Sequence, residues 1–117
     1  MNAEQFVAIV KMVVGRPAAI ESTSELDYIS KHNPDMEKAA VFYNGLGENE
    51  KAFVKDIVQE AVHSTLFGFF CVLDGVRAIE DGTEKGRLEL WYKNDHNGKS
   101  VLLNDGDNEF LHDIFND

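Results

Sequence analysis

The chain has 117 residues, 44% of them hydrophobic, which is enough for one domain with a real core. Its 27% of charged residues is ordinary for a soluble globular protein and argues against extensive disorder. The net charge is −10, from 21 acids and 11 bases; such a surface repels phosphate backbones and anionic lipid, so we expect no direct binding to nucleic acid or membranes.

The single cysteine, Cys71, excludes an internal disulfide and a cysteine-based zinc site. It lies in an apolar stretch, where a buried and inert thiol is the usual state. We therefore expect a reducing compartment, the cytoplasm. No secretory signal is visible, and no apolar run approaches the ~20 residues of a membrane helix.

Apolar spacing in the N-terminal part predicts two or three helices. A first helix over residues 3–14 should end at Gly15, because Pro17 prevents its continuation. Thr23 or Ser24 could cap a short helix further on. Asn33-Pro34-Asp35 predicts another helix start, with Asn as the cap and Pro in the first turn, and that helix should run to about residue 44.

The stretch from about 48 to 74 predicts the long central helix of the protein. Its first half is amphipathic and its second half is apolar on every side except at Gly68, so we expect it to run from the surface into the core. The short link through Gly45 and Gly47 predicts that this helix lies antiparallel to the one before it.

Beyond Gly75 the pattern becomes that of strands. Residues 76–79 could be extended, residues 87–93 alternate with period two, and Asn97-Gly98 predicts a hairpin turn before a returning strand over 100–103. Residues 108–116 predict a short closing helix. The fold class is therefore α+β: three or four N-terminal helices, a two- or three-stranded antiparallel sheet over about 76–103, and a C-terminal helix, all in a single domain over 1–117.

Two Glu-x-x-His pairs suggest metal chemistry. Glu60 with His63 and Glu109 with His112 each place a carboxylate and an imidazole one helical turn apart. Two such pairs facing each other resemble the ligand arrangement of two-metal sites in helical bundles. The alternative is two solvent-facing carboxylates and two half-buried imidazoles.

Other chemistry is weakly indicated. Asp105-Gly-Asp107 superficially suggests a calcium loop, but the glycine falls at position two, so we interpret it as a turn and helix cap. No nucleophile elbow and no phosphate loop is present. We expect no cofactor.

Arg77 and Trp91 are the residues singled out near the predicted sheet. Arg77 stands among Asp74, Glu80 and Asp81, and is expected to tie the helix end to the turn by bidentate carboxylate pairs; the alternative is a small polar site there. Trp91 falls on the strand face opposite its apolar neighbours, which makes it a candidate binding anchor or, alternatively, a side chain packed under a loop.

The segments LFGFFCVLDGVRAIED, RLELWYK, VLLND and FLHDIF together resemble a family of small bacterial proteins of about this length, over residues 48–117. The resemblance implies a bacterial cytoplasmic protein and brings no activity or functional residues with it. In size and charge the chain is also similar to immunity proteins that neutralise toxins, although no motif supports that similarity.

These observations favour a non-catalytic acidic interaction protein of the immunity or inhibitor type that binds a basic partner. Its binding surface would include Trp91 and Arg77 and the acids Asp105, Asp107 and Asp113. A metal-binding protein or metal-dependent enzyme using the two Glu-x-x-His pairs is the first alternative. A homo-oligomer with the apolar central helix partly at an interface is the second.

Overall fold

The computed structural model describes residues 1–27 and 34–117, and it confirms the α+β class. The elements in chain order are α1 Ala3–Val10, a π-helical turn Lys11–Gly15, α2 Arg16–Asp27, a 3₁₀ turn Pro34–Met36, α3 Glu37–Asn44, α4 Glu48–Leu73, β1 Trp91–Asn94, β2 Lys99–Leu102 and α5 Leu111–Asn116. Helices thus occupy most of the chain, and the sheet has two antiparallel strands.

The first helix does not end at Gly15, and that prediction is wrong. One π-helical turn, Lys11–Gly15, joins α1 to α2, and the Arg16 N–H bonds to the Lys11 carbonyl five residues back. Pro17 then falls in the first turn of α2, where its missing N–H and fixed φ are tolerated. The wider turn before the proline therefore lets the helix continue where a regular α-helix would have been broken.

The caps predicted for residues 18–36 are also revised. Thr23 and Ser24 lie inside α2 and do not cap it. Both hydroxyls donate to the Ile20 carbonyl, and the Thr23 hydroxyl also donates to the Ala19 carbonyl. The predicted cap Asn33 lies outside the described residues. The helix after Pro34 does end at Asn44, close to the predicted boundary.

The long helix α4 has nearly the predicted bounds and ends in a Schellman motif. Gly75 takes φ +77, the Gly75 N–H bonds to the Val72 carbonyl and the Val76 N–H bonds to the Cys71 carbonyl. α3 packs mainly on α2, and α4 packs mainly on α2 and α5. Lys51 Nζ of α4 lies 5.4 Å from the centroid of the Tyr43 ring of α3, and the antiparallel arrangement of these two helices stays a prediction.

The core forms where α1, the C-terminal half of α4 and α5 meet. Its four most buried members are Val7, Phe70, Leu111 and Phe115, with relative exposures of 0–3%. Phe6 and Phe115 both contact the Phe70 ring, at centroid distances of 6.3 and 5.3 Å. Cys71 is buried in the same region of α4. The C-terminal half of α4 is therefore the structural centre.

The hairpin has the predicted turn but shorter strands. Trp91 pairs with Leu102 and Asn94 with Lys99, and Gly98 takes the positive φ of +68 that the turn requires. Residues 76–90 form an irregular loop, so the predicted strands over 76–79 and 87–90 are not formed. Among the described elements, the two strands pack mainly on each other and not on a helix. This differs from expectation, because an isolated two-stranded hairpin is only marginally stable in water.

The chain exposes more surface than a compact monomer of its mass. Its radius of gyration is 18.6 Å, against about 13 Å for a compact domain of this length. Its accessible surface is 8621 Å², about 2,200 Å² more than the usual scaling gives. Large apolar side chains account for part of this surface, among them Phe42, Phe53, Ile57 and Phe69, which are 59–68% exposed.

Phe69 and Phe70 form a matched pair for testing where the core lies. Phe70→Ala should destabilise the protein by roughly 3–5 kcal/mol because that ring is buried. Phe69→Ala should cost far less, since Phe69 is 59% exposed. Urea unfolding of both variants measures the difference. Equal losses of stability would contradict this placement of the core.

Candidate functional site

The C-terminal end of α4 is fastened to α5 by a buried carboxylate. The Asp74 side chain is 1% exposed. Its Oδ1 accepts the Leu111 N–H at 3.1 Å, and its Oδ2 accepts the His112 N–H at 2.9 Å and contacts His112 Nδ1 at 2.6 Å. Asp74 thus supplies the N-terminal cap of α5 from a helix 37 residues earlier in the chain.

The His112 ring is held on several sides. It packs edge-on against Phe67 and face-on against Phe110, at centroid distances of 5.7 and 5.5 Å. Its Nε2 lies 3.4 Å from Asp113 Oδ1. Because Nδ1 is engaged by Asp74, His112 serves here as a structural link between α4 and α5.

Asn104 makes a second polar link at the same end of α4. Its Nδ2 donates to the carbonyls of Leu73 and Leu88 at 2.6 and 2.9 Å, and its Oδ1 accepts the Leu90 N–H at 2.8 Å. Leu103 beside it is buried, and its N–H bonds to the Leu90 carbonyl. These bonds hold the base of the hairpin to the helix.

Arg77 forms no ion pair with any carboxylate among residues 1–27 and 34–117. The prediction of bidentate carboxylate pairs for Arg77 is therefore wrong. The Arg77 guanidinium lies directly over Gly68, where a Cβ would clash with Nη1. Glu80, one of its expected partners, instead accepts the Gly86 N–H at 2.8 Å. A side chain at position 68 would therefore displace the Arg77 guanidinium, which is exposed and can move.

A cleft of about 330 Å³ adjoins Arg77 and is lined by both signs of charge. Arg77, Lys85, Arg87 and Glu80 contribute its charged side chains, and Ile79 and Leu88 are among the apolar ones. Sequence reasoning proposed a small polar site at this place as the alternative for Arg77. The cleft combines charged and apolar side chains, as a small polar site would, and its described lining contains no nucleophile paired with a base.

Trp91 is exposed and held in place. Its side chain is 46% exposed, and its indole N–H donates to Glu89 Oε2 at 2.8 Å. Arg87 pairs with the other oxygen of the same carboxylate at 2.8 Å. These two bonds hold the pKa of the Glu89 carboxyl below its usual value, the Trp91 bond more than the Arg87 bond. Trp91 is thus linked through Glu89 to Arg87, which lines the cleft, and its polar atom is already satisfied.

The acids of the predicted surface fall into two groups. Asp105 forms a turn, because its Oδ1 accepts the Asp107 N–H at 3.1 Å and its carbonyl accepts the Asn108 N–H. This agrees with the turn interpretation, but α5 begins at Leu111 and its cap is Asp74. Asp113 belongs to a second group, which surrounds Glu109.

Around Glu109 the acids repel one another. Desolvation raises the pKa of the Glu109 carboxyl, and the negative charges of Asp117, Glu4 and Asp113 raise it further. The packing of α1 against α5 brings these four acids together. The result is an acidic patch on the surface shared by the two helices.

The two Glu-x-x-His pairs do not form a metal-binding group in the part of the chain that the structure describes. No set of three or more His, Cys, Asp or Glu side chains there is placed to hold a metal ion. His63 stacks on Phe115 and contacts Asn116, Glu60 accepts the Ser64 hydroxyl, and His112 is engaged by Asp74. Glu60, His63 and His112 thus have separate partners.

The N-terminal half of α4 presents an apolar surface with acidic flanks. Phe53 and Ile57, one turn apart, are 64% and 68% exposed. Glu50, Asp56 and Glu60 lie three residues from one or the other and are also exposed. We call these five residues the α4 ridge. The amphipathic pattern of this half of the helix predicts that its apolar side is packed, whereas the structure leaves Phe53 and Ile57 on that side in water.

The length and composition of α4 would allow it to cross a membrane. These two criteria are weak evidence, because the core helix of a soluble protein and a signal sequence also meet them. No conclusion on localisation follows from this property.

Comparison with known proteins gave no match: no family model, no curated protein and no solved structure is significantly similar to this chain.

Asp74→Ala should release α5 from the end of α4. The change leaves the N–H groups of Leu111 and His112 without an acceptor, and hydrogen bonds to a charged group contribute about 1.5–3 kcal/mol each. We expect a loss of at least ~2 kcal/mol in urea unfolding. Asp81→Ala, at an exposed acid in the following loop, is the control and should change stability little. Equal stability of the two variants would contradict the role assigned to Asp74.

Glu109→Gln should stabilise the protein at neutral pH. The native state holds its proton on Glu109 more tightly than the unfolded chain does, so the stability contributed by this group falls as pH rises through the raised pKa. The variant should melt at a higher temperature than wild type at about pH 7, with the gain disappearing below about pH 4. Glu84→Gln, at an exposed acid in the loop, should show no such gain. A gain that is independent of pH would refute the electrostatic explanation.

Proposed function

We propose that this chain is a non-catalytic interaction protein that binds a basic protein partner. The observation that carries the proposal is the α4 ridge, in which two large apolar side chains stand in water at helical spacing with acids on both sides. Contiguous exposed apolar surface with a polar rim is typical of protein-binding sites.

The chemistry of the ridge selects the partner. Phe53 and Ile57 offer the spacing that an amphipathic helix recognises through its own apolar stripe. Glu50, Asp56 and Glu60 favour basic side chains at the edge of that stripe. The overall charge of −10, with acids concentrated near Glu109, would steer such a partner toward the protein over longer distances.

Trp91 is a second contact point in this proposal. Its exposed ring, with the indole N–H already bonded to Glu89, presents apolar area without an unsatisfied polar atom. Arg77 and the acids Asp105, Asp107 and Asp113 contribute the charged surroundings. An immunity or inhibitor type of action in a bacterial cytoplasm is the biological setting proposed with it.

Assembly with a second copy of the chain is the alternative function, and the surface area favours it. The excess of about 2,200 Å² over a compact monomer is of the size that obligate subunit interfaces bury. Charge opposes it at the α4 ridge, because two such ridges in contact would bring like acids together. We therefore place the basic partner first and the homo-oligomer second.

A synthetic amphipathic helix with a leucine stripe flanked by lysines tests the first proposal. We expect it to bind the wild-type protein with an on-rate that falls steeply as salt is added. Phe53→Ser/Ile57→Ser should abolish the binding because the apolar contact is lost. Glu50→Gln/Asp56→Gln/Glu60→Gln should slow association and weaken its salt dependence. Surface plasmon resonance measures both quantities.

The matched control is Val76→Ser/Ile79→Ser, which removes two exposed apolar side chains from the loop instead of the α4 ridge. It should leave peptide binding unchanged. Binding that does not depend on salt, or that survives Phe53→Ser/Ile57→Ser, would contradict the proposal. Light scattering decides the alternative: a dimer of the wild-type protein would favour self-assembly, and a monomer would contradict it.

A further inference from the structure

A groove of about 540 Å³ runs between the π-helical turn, the middle of α4 and the end of α5. Val62, Leu66 and Phe115 contribute much of its apolar lining, and Lys11, Arg16 and His63 contribute its basic groups. Volumes of about 300–1,000 Å³ with an apolar lining and a few convergent polar groups are typical of small-molecule sites. None of the residues of the α4 ridge lines it.

The charge of this groove is opposite to that of the protein. The chain has 21 acids and 11 bases, yet two bases and an imidazole line the groove with only one acid, Asp117, in its described lining. Within residues 1–27 and 34–117, neither Lys11 nor Arg16 is in an ion pair. Their charges are therefore available to a ligand.

The π-helical turn is what places both bases in one groove. In a regular α-helix, residues five apart point about 140° away from each other. In the turn Lys11–Gly15 the Arg16 N–H bonds to the Lys11 carbonyl, so these two residues are one turn apart and share a face. Gly15 lets this turn approach α4 closely, since a Cβ there would lie 3.0 Å from Leu66 Cδ1.

The Phe115 ring joins the basic and apolar parts of the groove. Lys11 Nζ lies 5.0 Å from its centroid, and the His63 ring stacks on it at 4.6 Å with an interplanar angle of 28°. His63 Nε2 donates to Asn116 Oδ1 at 3.2 Å, which fixes the orientation of the imidazole. Lys11 and His63 thus both lie against the Phe115 ring, and the exposed His63 ring supplies the aromatic surface of the groove.

We propose that this groove binds a small carboxylate with an apolar body. The carboxylate would lie between Lys11 and Arg16, whose guanidinium can bind both of its oxygens. The apolar body would lie against Val62, Leu66 and the exposed face of the His63 ring, which covers Phe115. Inorganic phosphate lacks that body and should bind poorly, and a neutral ligand of the same shape lacks the ionic contacts. This site is separate from the α4 ridge and does not depend on the function proposed for it.

Naphthoate and its neutral amide, naphthamide, are the probes. We expect naphthoate to bind wild-type protein with a Kd below about 1 mM, and naphthamide to bind at least about tenfold more weakly. Lys11→Gln/Arg16→Gln should weaken naphthoate binding at least about tenfold and leave the naphthamide affinity unchanged. Isothermal titration calorimetry gives the affinities, and the shift of the Gly15 amide resonance in a proton–nitrogen spectrum reports binding at the groove.

The control Lys38→Gln/Lys93→Gln removes the same amount of charge from exposed sites on α3 and β1 and should bind naphthoate like wild type. A second variant, Ile20→Trp, places a large ring at a half-exposed position of the lining and should block both probes. Equal binding of the acid and the amide, no binding of naphthoate at about 1 mM, or full binding by Lys11→Gln/Arg16→Gln would overturn the proposal.

Discussion

The buried carboxylate of Asp74 is the interaction on which the described structure depends most. A carboxyl group out of water is costly unless hydrogen-bond partners surround it, and here all of its partners belong to Leu111 and His112 at the start of α5. The helix is thereby held where Leu111 and Phe115 complete the core on Phe70. Asn104 anchors the hairpin to the same end of α4. The core and the hairpin are thus both positioned from one end of one helix.

The two halves of α4 consequently have different roles. The C-terminal half carries the buried side chains and the polar links, so its sequence is constrained by packing. The N-terminal half lies outside the core cluster, with α2 along one side, and its other side leaves Phe53 and Ile57 in water. A helix held by α5 at its C-terminal end and by α2 along its side can keep an exposed ridge in a defined orientation, which lowers the entropy that a partner must remove on binding. The elongated shape of the molecule is therefore compatible with an interaction function.

Charge is distributed with the same asymmetry. Acids flank the α4 ridge and crowd around Glu109, whereas Lys11 and Arg16 meet in the groove beside Phe115. A protein of net charge −10 can present a basic groove because a short π-helical turn changes which side chains share a helix face. The two surfaces would attract ligands of opposite charge. One would take a basic protein, and the other a small acid.

Local spacing determined much of the fold: the apolar pattern of α4, the Asn97-Gly98 turn and the closing helix were all predictable, because each depends on neighbours a few residues apart. Tertiary structure alone decided the rest. Phe69 and Phe70 are equally apolar in sequence, and only the positions of α1 and α5 leave one exposed and the other buried. Asp74 and His112 are 38 residues apart, so no pattern could pair them. The continuation of the first helix through Gly15 and Pro17 could not be predicted either. Whether a proline breaks a helix depends on the turn before it, and here that turn is π-helical.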